Sequence, residues 1–223
     1  MTGHSWWTHL IWVFAAGVVG FAITAVFAGW LELRREWVVL AYLAIAGAFL
    51  YGYAVWSQID LIQAVRRRWL LGLAGAAIVG FIAARKVSLQ PTSPRSHGAQ
   101  FAFDLLWCGV VYGALDGIFL SVMPLLATRE AFSELGWLGG WAGAVGAGLV
   151  GLLASTYVTT AYHWGYPEFR GTEVGMPILG NNLMSLGMIL TRNPLTATVS
   201  HVAMHVAAVI HGMEATIQLP PHY

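Results

Sequence analysis

The run HVAMH places His201 and His205 four residues apart, so that on a helix both imidazoles project from one face. That is the spacing metal sites on helices use. Asp116 lies in GALDGIFL, where no neighbour in sequence can neutralise it, so it must find a cation, a metal or a proton elsewhere in the protein. His163 ends the run TTAYH. If the segments carrying these residues are helices, Asp116, His163, His201 and His205 can converge from three of them, and three nitrogens with a carboxylate suit zinc or iron. His211 falls roughly 80 to 120 degrees around the helix from the histidine pair and is expected to stand apart, near Glu214.

Each of these residues also has a structural reading. His163 and His205 can be hydrogen-bonded core histidines, and Cys108 a small buried side chain. Asp104 is expected to be interfacial or to cap its helix. Asn181 and Asn182 are expected to bond between helices. Glu168, Arg170 and Glu173 in WGYPEFRGTEVG need no catalytic role in a polar loop.

The elements that must position these side chains are apolar. Of the 223 residues, 58% are hydrophobic and 9% charged, against roughly a quarter charged in a soluble domain. Seven segments, at 10–30, 37–57, 67–84, 101–127, 137–163, 174–191 and 195–212, approach the ~20 residues of helix that cross a bilayer. The expected fold is therefore all-α, a polytopic membrane bundle of about seven transmembrane helices forming a single domain over 1–223. The third and sixth segments are short. Residues 1–9 lack the positive stretch of a cleavable signal, and the apolar run after them is read as the first membrane helix.

The connection RKVSLQPTSPRSHGAQ, with Pro91 and Pro94, separates three front helices (1–84) from a back core (101–212) that holds nearly all the buried polar residues. Chemistry is expected in the back core. The glycines of GGWAGAVGAG at 139–148 suit close helix packing. Trp6, Trp7, Trp12, Trp37 and Trp164 lie near segment ends and suit an interfacial belt. A net charge of +1 with 11 Lys plus Arg makes a nucleic-acid partner unexpected. Alternate loops carry nearly equal numbers of Lys and Arg, so they assign no orientation.

Taken in order, the back-core motifs resemble the CPBP family of intramembrane proteases, which includes CAAX prenyl proteases and bacteriocin-processing enzymes. Over residues 110–212, TRNPLTATVSHVAMH resembles the family's final His-x-x-x-Asn/Asp motif, with His201 at the histidine and His205 in place of Asn or Asp. TTAYH resembles Phe-x-x-x-His, with His163 at the histidine and Thr159 where phenylalanine is usual. LDGIFLSVMP resembles the Glu-Glu-x-x-x-Arg stretch in either of two registers. One puts Leu115 and Asp116 at the acids and Leu120 at the arginine; the other puts Asp116 at the first acid and Ser121 at the arginine.

The resemblance implies peptide-bond hydrolysis within the membrane, with Asp116, His163, His201 and His205 as catalytic residues. The same four would be ligands if zinc or another divalent metal is used, and the extra histidine at 205 favours a metal. The implied partners are the lipid bilayer and membrane-embedded or membrane-adjacent peptides, and the implied location is a bacterial plasma membrane. Loss of the family's arginine and of one acid also permits a non-catalytic scaffold. A transporter, or a haem carrier with His163 facing His201, is a third reading of intramembrane His and Asp.

Overall fold

The computed structural model describes residues 5–214 and 218–220. Among them every regular element is helical, as a chain in lipid requires, since no water is there to satisfy an open strand or loop. Six helices are long and apolar enough to cross a membrane: α1 (Trp6–Trp30), α2 (Arg35–Ser57), α4 (Trp69–Val87), α5 (Gly98–Glu134), α6 (Trp141–Trp164) and α7 (Thr172–Thr191). Between α2 and α4 lies the one-and-a-half-turn α3 (Leu61–Arg66). The seventh expected segment is also helical, α8 (Pro194–His211), but its three histidines make it less apolar than the six. The chain is an all-helical, multi-pass membrane protein.

Burial sorts the helices. In α5, 78% of its most apolar stretch is buried, against 28–33% in the other five spans, so α5 runs through the middle of the bundle. The outer helices turn large apolar side chains outward, with Phe14, Phe81, Leu153, Leu179 and Leu190 each 63–71% exposed. Helices from either side of the 88–97 connection interleave: α4 packs along α8, and α1 along α6 and the end of α5. Thr24 Oγ1 donates to the Tyr162 carbonyl at 2.7 Å, tying α1 to α6.

Contact between α5 and α8 depends on glycine. A Cβ on Gly113 would stand 2.9 Å from the Val202 Cα, and one on Gly117 2.7 Å from the Thr198 Cα. With Gly109 against Val206, this is a small residue at every fourth position, which lets two backbones approach closely. In the 139–148 run Gly146 and Gly148 pack against Phe132 of α5 and Ile189 of α7 and Gly143 against the Trp137 carbonyl, whereas Gly139 and Gly140 have nothing within 4 Å. Trp12 also departs from the expected belt. It lies between α1 and α2 against Phe49, Tyr53 and Trp56, whereas Trp6, Trp7, Trp37 and Trp164 are 42–58% exposed.

Two stretches of α5 widen into π-helix, Leu105–Val111 and Gly117–Val122, and Asp116 sits at the boundary of the second. Pro124 has no N–H for the Leu120 carbonyl four residues back. That carbonyl accepts from Ser155 Oγ of α6 at 2.6 Å. Helix α8 starts sharply: Asn193 Oδ1 accepts from the Leu195 N–H at 2.9 Å, and Pro194 follows at the first helical position, where its missing N–H is not needed. The Asn193 amide nitrogen donates to the carbonyls of Ala64, Val65 and Arg67, fixing the start of α8 to the α3–α4 turn.

Candidate functional site

Three helices meet at the centre of the back core. α5 supplies Asp116 and Ser121, α7 supplies Asn181 and Ser185, and α8 supplies His201 and His205. Asp116, His201 and His205 are 3%, 2% and 1% exposed. One potential ligand atom from each lies within 4.8 Å of the other two. His205 Nε2 donates to Asp116 Oδ2 at 3.2 Å. The two imidazoles are nearly parallel, 6.1 Å between centroids and 23° between planes, as expected of side chains one helical turn apart. Tyr112 packs edge-on against His205 at 4.8 Å.

One atom on each of these residues is buried without a partner at hydrogen-bond distance, Asp116 Oδ1, His201 Nδ1 and His205 Nδ1, as is the hydroxyl of Tyr42, which interacts with Asp116 from α2. An unsatisfied buried acceptor is costly, and in native structures it calls for an explanation such as a bound ion. One oxygen and two imidazole nitrogens are donors that zinc and similar divalent ions accept. The residues present therefore fit a divalent metal, and the buried Asp/His/His group can hold one.

Asn181 makes the bonds between helices expected of it. It belongs to the group's immediate surroundings, with Oδ1 3.2 Å from His201 Nε2 and 2.7 Å from Ser121 Oγ, and Nδ2 2.8 Å from Ser155 Oγ. Ser185 closes the network against Ser121 at 2.9 Å and Ser155 at 2.8 Å. Its sequence signal is periodicity: Asn181 and Ser185 are four apart on α7, a polar stripe in an apolar helix. Asn182 makes the expected bond between helices, accepting from Thr156 Oγ1 at 2.8 Å.

His163 stands outside the three-residue group, a correction to the four-residue convergence expected from the motifs. Its Nδ1 donates to the Thr159 carbonyl one turn earlier at 2.8 Å, and its ring packs among Tyr162, Tyr166 and Phe169. Local aromatic packing and its own helix hold it. Between it and the group runs a buried chain of phenols, Tyr112 to Tyr162 at 2.9 Å and Tyr162 to Tyr166 at 3.0 Å between hydroxyls.

The remaining polar candidates have local partners. Asp104, near the start of α5, accepts from Ser96 Oγ at 2.5 Å and Gln100 Nε2 at 2.8 Å. His211 donates to the Gln90 carbonyl at 2.8 Å, away from the pair. Arg170 bonds the carbonyls of Trp164 and Gly165 within its loop.

No protein-family profile matches the chain, and no match was found among curated proteins or solved structures. What the fold and the site define is a class: a multi-pass helical membrane protein with a buried Asp/His/His group in its core.

Proposed function

We propose that Asp116, His201 and His205 form the hydrolytic centre of an intramembrane peptidase divergent from the CPBP type, using a divalent metal, in a bacterial plasma membrane. The supporting observation is three buried residues, each with an unpartnered atom, that offer one ligand atom apiece within 4.8 Å of the other two. Placing that many polar groups at bilayer depth costs about 2.5–3.5 kcal/mol per charged residue on insertion scales, which marks them as functional. A divalent ion bound there would polarise a peptide carbonyl and bring the pKa of a bound water to about 7.

The chain's own residues do the rest. Asp116 holds His205 through Oδ2, and its second oxygen, Oδ1, is the one left to ligate the ion. Three protein ligands leave a fourth position open, the pattern of catalytic and not structural zinc. The burial of all three residues excludes bulk water, and a membrane-embedded or membrane-adjacent peptide must enter by parting helices. That same burial favours one alternative, a non-catalytic relative in which the group ties α5 to α8.

The test is elemental analysis of detergent-purified wild type, His201→Ala and His205→Ala, followed by peptide cleavage assays with Asp116→Asn as control. Near-stoichiometric metal lost in both histidine variants, with cleavage lost in all three, is the expected result. Metal-free wild type sinks the metal centre. Folded, metal-bound protein that cleaves no membrane peptide leaves the structural reading in its place.

A further inference from the structure

We propose that Asn181 is a positioning residue that selects the tautomer of His201 and leaves Nδ1 as its donor atom. The positioning role rests on the reading of the group as a metal-binding centre. The Leu120 carbonyl, four residues before Pro124, sits beside Ser155 of α6. A carbonyl can only accept, so at 2.6 Å it takes the single hydroxyl proton of Ser155. Ser155 Oγ has no proton left and must accept from Asn181, 2.8 Å away. The atom facing Ser155 is therefore the amide nitrogen, and the reversed amide would set two acceptors against each other.

With Nδ2 on Ser155, the amide oxygen faces the other way, toward Ser121 Oγ at 2.7 Å and His201 Nε2 at 3.2 Å. An amide oxygen has no hydrogen to give, so Ser121 donates to it and His201 must carry its proton on Nε2. A neutral imidazole protonated at Nε2 has its lone pair on Nδ1, the buried atom without a partner. His201 thus presents Nδ1, backed by the amide oxygen on the far side of its ring. Such outer acceptors fix ring orientation and ligand basicity in metal sites.

The proposal predicts a spectroscopic signature that needs neither turnover nor metal. In metal-free protein labelled with 15N-histidine, NMR is expected to find His201, identified by comparison with His201→Gln, protonated on Nε2 and bare on Nδ1. Asn181→Leu, of similar volume, is expected to lose that fixed tautomer and to weaken cobalt(II) binding about 10- to 100-fold. Ser155→Ala leaves the amide in place but unaimed, and is expected to give a tautomer mixture even if Asn181→Leu fails to fold. A wild-type His201 protonated on Nδ1 overturns the proposal, as does an Asn181→Leu or Ser155→Ala protein with the wild-type tautomer. A tautomer that responds as expected, in a protein that binds no cobalt, supports the role of Asn181 and sinks the metal centre instead.

Discussion

Asp116 and His205, 89 residues apart in the chain, meet at 3.2 Å in the middle of the bundle, and each is almost wholly buried. Such a pair cannot lose one partner cheaply, because the other is left desolvated and unsatisfied. Asp116→Asn keeps shape and one acceptor oxygen but removes the charge. It is expected to leave the helical circular dichroism unchanged and to abolish measurable cobalt(II) binding in a calorimetric titration.

His163 lies outside the group, with its Nδ1 on its own helix. His163→Gln is expected to retain at least half of the wild-type metal by elemental analysis, whereas His201→Ala and His205→Ala lose it. Loss of metal in His163→Gln to the same extent would contradict the three-residue site.

Metal and stability should be linked. A ligand that binds only the folded state adds about 2.7 kcal/mol when its free concentration is 100 times its Kd. Thermal unfolding of the wild type in detergent is expected to shift to lower temperature with a chelator, while His201→Ala, lacking the site, unfolds at the same temperature with and without it.

Close packing of α5 on α8 makes a second stability prediction. In Gly117→Ala the new methyl would approach backbone, the Thr198 Cα at 2.7 Å, which no side-chain rotation relieves. The expected cost is about 1–3 kcal/mol of overpacking, read as a lower unfolding midpoint. Gly139→Ala, at a position with nothing within 4 Å, is the control expected to show little change.

Asn193 caps α8 and holds three carbonyls of the α3–α4 turn. Asn193→Ala is expected to lose about 1 kcal/mol from the cap and roughly 1–3 kcal/mol more from carbonyls left without a donor. Faster hydrogen exchange in the 64–68 turn, and not only at the start of α8, distinguishes this clamp from a simple cap.

The class of the protein was legible in the chain. Long apolar segments in a chain with 9% charged residues can be satisfied in lipid only as helices, so the fold class and most helix limits follow from composition and length. Two parts of the site were equally legible. His201 and His205 share a face because 3.6 residues per turn puts i and i+4 together, and Asp116 stood out because nothing near it in sequence could neutralise it.

Which partner Asp116 finds was decided only in the tertiary structure. That choice depends on which faces of α5 and α8 meet, and so on Gly113 and Gly117 clearing the α8 backbone. Periodicity within one helix carries no information about such contacts. His163 satisfied the same motif logic as His201, but its own i−4 carbonyl and three neighbouring rings held it outside the group. Asn181 entered through contacts with serines on two other helices. A hydrogen-bond network of this kind exists only when all of its helices are in place, because each hydroxyl's single proton is directed by a neighbour remote in sequence.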